Sequence, residues 1–150
     1  MKTFIHPICL TMRNINHRNF KRYGWVIEGP AKKPKDKRKS LFSIVLTEPL
    51  KSGWRIAYFL LRDKAAAYLE RHIDSFESFE PIRGETLIYV AGTKDLKNIK
   101  CFYLDKPVIL KKGIWHNVIT LNKQSEIKIT ENAKVRCDYW QLGFTLKSGE

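Results

Sequence analysis

A chain of 150 residues suits one domain, and its apolar fraction of 43% with 12% aromatics excludes a disordered or low-complexity polypeptide. No apolar run approaches the ~20 residues that cross a bilayer, and the N-terminus MKTFIHPICLTMRN has neither a sustained apolar core nor a small-residue cleavage site, which predicts a cytoplasmic protein with no membrane partner. The net charge of +13 raises a polyanionic partner, but much of the excess sits in one block, AKKPKDKRKS from Ala31 to Ser40, and the aromatics lie among apolar strand residues, so the pattern speaks against nucleic acid.

In chain order, Lys2 to Met12 reads as a first strand, and Asn14 or Asn16 as the cap of a helical turn holding Phe20 and Tyr23 and closed by Gly24. Trp25 to Glu28 reads as a short strand that the Gly29-Pro30 breaker ends. The basic block that follows contains Pro34 and no large apolar residue, the composition of an exposed loop at about 30–40 within one domain spanning 1–150. Ser40 to Leu46 and Trp54 to Leu61, rich in β-branched and aromatic residues, read as paired strands. Asp63 to Glu70 (DKAAAYLE) has the alanine content and acidic opening of a short helix packed on the sheet.

From Phe76 the strands come close together, around Ser78 to Glu80, Thr86 to Ala91, Cys101 to Leu104, Val108 to Leu110, His116 to Leu121, Ser125 to Ile129 and Cys137 to Leu146. Turn signals at spacings of about 8 to 12 residues predict an antiparallel sandwich or barrel. Thr86 to Ala91 is apolar on both faces, as a central strand is. Cys9, Cys101 and Cys137 form no CxxC pair, and their odd number predicts reduced thiols rather than a disulfide framework.

Two histidines carry the chemistry. His72 follows the predicted helix, and His116 follows a basic turn, Lys111-Lys112-Gly113-Ile114-Trp115, in which Gly113 supplies a positive φ and Trp115 is placed to wall a site. On spacing alone each is a metal ligand, a general acid or base, or a histidine satisfied in the fold. If they face each other across a barrel, the molecule has a pocket.

The order of short motifs resembles a known family. Phe20-Lys21-Arg22-Tyr23-Gly24 before a Val-Ile-Glu strand, then Leu69-Glu70-Arg71-His72, Phe79-x-Pro81 with Gly84-Glu85, a strand ending Val90-Ala91, Asp95-Leu96-Lys97 leading to Cys101-Phe102, and Gly113-x-Trp115-His116 together are similar to the ureidoglycolate lyases (ureidoglycolate hydrolases), cupin-fold enzymes of allantoin breakdown, from about residue 4 to residue 142. The resemblance implies a mainly β, cupin-like jelly-roll barrel with one or two short helices, commonly a homodimer, that cleaves ureidoglycolate to glyoxylate and urea. It carries directly onto His72, Phe79, Pro81, Gly84, Glu85, Trp115 and His116. The chain departs from the family at Asn117, where a second histidine is usual, and it lacks the His-x-His pair of metal-binding cupins.

In that reading His72, His116 and Glu85 do the acid and base work and are also the candidates for a divalent metal. Arg83, Arg62 or Lys112 clamps the substrate carboxylate, with Tyr89 and Trp115 against the substrate. The alternative is a non-catalytic or differently specific cupin that binds a small carboxylate or sugar acid.

Overall fold

The computed structural model describes residues 7–8, 10–27 and 53–148. The predicted strand from Ser40 to Leu46 and the basic block lie outside them, as does Cys9. Chain order gives β1 (Pro7–Ile8), β2 (Met12–Asn14), α1 (His17–Phe20), β3 (Gly24–Val26), β4 (Trp54–Leu61), β5 (Ala65–His72), β6 (Glu77–Arg83), β7 (Thr86–Gly92), β8 (Asp95–Tyr103), β9 (Val108–Leu110), β10 (Trp115–Thr120), β11 (Ser125–Asn132) and β12 (Cys137–Lys147). They form a seven-stranded sheet in the order β1-β12-β5-β10-β7-β8-β2 and a five-stranded sheet in the order β3-β9-β6-β11-β4.

The pairings β12 with β5, β11 with β6 and β10 with β7 are all antiparallel and fall alternately in the seven-stranded, five-stranded and seven-stranded sheets. This is one long hairpin, β5 to β8 running out and β9 to β12 running back, rolled so that successive pairs join opposite sheets. The fold is therefore a jelly roll, cupin-like and mainly β, as the sequence implied.

One predicted element is different. Asp63 to Glu70 is not a helix: Ala65–His72 is strand β5, hydrogen-bonded to β12 on one side and β10 on the other. Alanine favours helix by only ~0.7 kcal/mol per residue or less over ordinary residues, and two neighbouring strands that satisfy every backbone group of a short segment outweigh it. The helical turn is present as α1, where Asn16 Oδ1 accepts the amides of Arg18 and Asn19 at 2.9 and 3.0 Å and Asn19 Oδ1 accepts the Asn16 amide at 3.0 Å.

Strand alternation produces two apolar layers. Ile88 and Val90 of β7 point between the sheets and join Phe79, Phe102, Val108, Leu110 and Ile127. Leu87, Tyr89 and Ala91 point to the other face of the seven-stranded sheet and join Leu69, Cys101, Trp115 and Ile119. All seven residues of β7 are buried, and the strand lies between β10 and β8, which confirms it as central. Phe20 of α1 closes one end of the inner layer, edge-on to Phe102 at 5.2 Å and to Tyr23 at 5.9 Å.

Gly84 and Gly113 take the positive φ values of +81° and +77° that their turns need. Gly24 is required for a different reason. A Cβ there would lie 1.8 Å from the Ile109 carbonyl oxygen, because β3 passes directly against β9. Gly24→Ala must push the two backbones apart and is expected to destabilise the fold by about 3 kcal/mol, read as a lower urea midpoint with an unchanged m value.

Candidate metal centre

β5 and β10 bring His72 and His116 together. Their rings meet edge to face with centroids 5.4 Å apart, both are buried, and both project into the space between the sheets. The opposite wall is supplied by the five-stranded sheet. Glu77 opens β6 and Glu131 lies near the end of β11, and the two are register partners, so two buried carboxylates stand side by side on neighbouring strands. Like charges in that arrangement repel unless a cation lies between them.

The cluster is tight. His72 Nδ1 lies 3.1 Å from Glu77 Oε2 and 3.2 Å from Glu131 Oε2, and His116 Nε2 lies 2.9 Å from the same Glu77 oxygen. Glu70, the register partner of His116, brings Oε1 to 3.9 Å from His116 Nε2. The distances are short, yet His72 Nδ1, Glu77 Oε2, His116 Nε2 and Glu131 Oε2 are buried without an aligned hydrogen bond. Donor atoms that crowd one point without pointing along each other's N–H directions leave buried polar groups uncompensated, and a cation at that point would satisfy all of them. His72, Glu77 and His116 thus form a possible metal site of two imidazoles and one carboxylate, the donor set borderline and hard divalent ions take. A second group, Glu70, His72 and Cys137, shares His72 with it.

The surrounding groups hold this set in place. Arg55 grips Glu131 with Nε and Nη2 at 2.8 and 2.6 Å, which aims the other carboxylate oxygen at His72. The His116 Nδ1 faces the Ile114 carbonyl oxygen at 3.0 Å, fixing the proton on Nδ1 and turning Nε2 to Glu77. Burial alone pushes the His116 imidazole down; the Glu77 carboxylate, then Glu70 and the Ile114 carbonyl, outweigh it and raise the pKa from 6.5 to about 9. Burial likewise pushes Glu131 up, and His72 and Arg55 outweigh it and hold that carboxyl below the usual range.

A cavity of about 80 Å³ opens onto the cluster. Its polar lining is Asp63, Tyr68, Glu70, Glu77, His116 and Asn117, and Phe59, Leu61 and Phe79 are among the apolar residues that close it from the core. Asn117, in the place of the family's second histidine, donates its Nδ2 to the Tyr68 carbonyl at 2.8 Å and ties β10 to β5 beside the cavity.

The other residues singled out in the sequence lie elsewhere. Glu85 is exposed in the turn before β7, bonded to Tyr103 and Asn122, which lower its pKa; the hydrogen bond to Glu85 pushes Tyr103 up to about 12. His116 stands opposite Val90, five residues along the strand from Glu85, or about 17 Å at ~3.4 Å per residue. Arg83 is exposed near Glu126 at 3.8 Å, and exposed Arg62 points to Gln124 at 3.4 Å. Lys112 lies over the Phe76 ring at 4.9 Å. Tyr89 and Trp115 are buried in the layer on the far side of the sheet, where Arg71 stacks on Trp115 at 4.7 Å. None of these six lines the cavity, whereas His72 and His116 converge as the pocket hypothesis required.

Sequence reasoning missed Glu70, Glu77, Glu131 and Asp63. A signal for the first two was present: Glu70-x-His72 on a strand puts both side chains on one face, in the position of the His-x-His pair of metal-binding cupins, with Glu77 as the downstream carboxylate. Reading Asp63 to Glu70 as helix hid that periodicity.

No family model matches the chain, and no curated protein sequence matches it. Among solved structures it is similar to procruciferin, an 11S globulin from Brassica napus, at 11% identity over 57% of this chain and 22% of that one, with a TM-score of 0.47. It is similar to the Bacillus subtilis oxalate decarboxylase OxdC at 13% identity over 61% of this chain and 24% of that one, with a TM-score of 0.46. A dTDP sugar isomerase from Desulfovibrio desulfuricans G20 matches at 12% identity over 85% and 82% of the two chains, with a TM-score of 0.43. The chain therefore spans about a quarter of the first two structures.

A cation entering the cluster must displace the proton that His116 holds below about pH 9. Zn2+ affinity is therefore expected to rise about tenfold per pH unit between about pH 6.5 and about pH 9 and to level off above it. In the metal-free protein the same raised pKa contributes stability that is fully present below about pH 6.5 and lost as the pH rises through about 9. Calorimetric titrations in buffers of different ionisation enthalpy measure the released proton, and melting temperatures across the same range measure the stability.

Proposed function

We propose that this chain is a cupin-type metalloenzyme in which His72, Glu77 and His116 hold a divalent cation beneath a pocket for a small oxygen-bearing substrate. The observation that carries the reading is the convergence of buried nitrogen and oxygen atoms from both sheets without aligned hydrogen bonds. When bound, the cation would polarise a substrate oxygen and lower the pKa of a hydroxyl on it. The chain's own groups do the rest. Glu70, partly buried at the cavity edge, is placed to take a proton from the substrate and return it to the leaving group. Arg55 and Glu131 keep His72 in one orientation, Ile114 keeps His116 in one tautomer, and Phe59, Leu61 and Phe79 exclude water from one side.

Equilibrium dialysis of purified protein against Zn2+ or Mn2+ is expected to give one tightly held ion per chain. Glu77→Gln should weaken it by about 10–100-fold or more while the far-UV circular dichroism stays unchanged. Equal affinity in the wild type and Glu77→Gln would remove Glu77 from the site.

A finer reading takes the reaction from the motif order, which resembles that of the ureidoglycolate lyases along nearly the whole chain. In it a cytoplasmic homodimer cleaves ureidoglycolate: His116 and His72 stand at the reacting carbon, a base takes the carbinol proton, and urea leaves with a proton as glyoxylate forms. Glyoxylate release is the assay. The wild type should release it and His116→Ala should be slower by about 10²–10⁴-fold. Absence of release from the metal-loaded wild type removes this substrate, and a ligand that raises the melting temperature without turnover makes the chain a binding protein instead.

A further inference from the structure

The charge of the cavity points to the class of molecule it takes. Three carboxyl groups, Asp63, Glu70 and Glu77, face into it, and among the described residues no lysine or arginine lines it. The nearby cations are committed to carboxylates or rings of their own: Arg55 to Glu131, Arg71 to Asp138 and the Trp115 ring, and Lys128 to Glu80. Arg62, Arg83 and Lys112, the residues suited to clamp an anion, lie outside the cavity. A bound divalent cation does not reverse the sign, because two positive charges then stand against three carboxylates. The protonated metal-free cluster is negative as well, with one imidazolium against the same three.

Hydrogen-bond capacity leads to the same class. Carboxylates only accept, and the Asn117 amide nitrogen is already given to Tyr68. A carboxylate ligand would meet acceptors on most sides, whereas hydroxyl and amide N–H groups would find partners. The volume of about 80 Å³ is that of two or three waters at ~30 Å³ each, so the enclosed part of the ligand has only a handful of heavy atoms.

We infer that the cavity selects a small, uncharged, donor-bearing hydroxy compound and rejects carboxylates of the same size. This rests on the cavity being the ligand site of the proposed metalloenzyme, but the charge argument holds for the metal-free form too. Like-charge repulsion in a half-enclosed site is of the size that shifts a binding constant about tenfold or more, and it weakens with salt.

Glycolamide and glycolate have the same number of heavy atoms and differ in charge, which makes them the probes. Their dissociation constants would be measured by ligand-observed NMR at low ionic strength, on Zn2+-loaded and on metal-free protein. Glycolamide is expected to bind about tenfold more tightly than glycolate in both forms. That order is the reverse of what a free divalent ion shows towards hydroxyl-carboxylate chelators. The ratio should shrink in 0.5 M salt, about one and a half Debye lengths shorter in reach than dilute buffer, and Asp63→Lys should move it towards glycolate. Glycolate binding as tightly as glycolamide to the wild type, in either form, overturns the inference, and so does a ratio that Asp63→Lys leaves unchanged. Failure to take up Zn2+ would instead overturn the metal reading, and the metal-free comparison would still decide the question of charge.

Discussion

Two carboxylates, Glu77 and Glu131, occupy opposed positions on neighbouring strands and point into the protein, and this arrangement sets the conditions for everything around it. Alone it would be strongly unfavourable, because each charge has been taken out of water and placed beside another of the same sign. The fold answers from the other sheet with His72, which approaches both carboxylates, and with His116, which approaches Glu77. Arg55 completes the compensation at the partly exposed end. The two sheets of the jelly roll are therefore joined by polar contacts at one end of a gap that apolar packing fills elsewhere.

That joint explains why the cluster has only one sensible geometry. Its members come from β5, β6, β10 and β11, the strands whose pairings alternate between the sheets as the hairpin rolls. A shift of one residue in any of these strands would turn a charged group out to solvent or into the opposite apolar layer. The direct pairings His116 with Glu70 and Glu77 with Glu131 show the register that prevents this. The site is accordingly a property of the assembled fold, and no isolated hairpin of the chain contains it.

Much of the fold was legible because strands declare themselves through local signals. Trp54–Leu61 and Val108–Leu110 were read with their observed bounds, and the two-sided apolar character of Thr86 to Ala91 correctly placed it at the centre of a sheet. β5 was misread because Ala65-Ala66-Ala67 carries a helical preference that only its two neighbouring strands overrule. The convergence of His72 and His116 was anticipated from motif order. Their carboxylate partners were not, because the step from His72 to Glu77 passes from one sheet to the other, and nothing in the local sequence states where a chain crosses. The exposed cations around Arg62 and Arg83 looked suited to a clamp only until the sheets showed which way they face.

Strand β10 gives these facts a practical side. Trp115 and His116 are adjacent in the chain, but alternation sends them to opposite faces of the sheet, one into the outer apolar layer beneath Arg71 and the other into the buried polar cluster. The indole belongs to the strand that carries the imidazole yet touches none of the cluster's charged groups. Its fluorescence is thus an internal optical gauge, able to register a displacement of the strand while leaving the chemistry on the other side undisturbed.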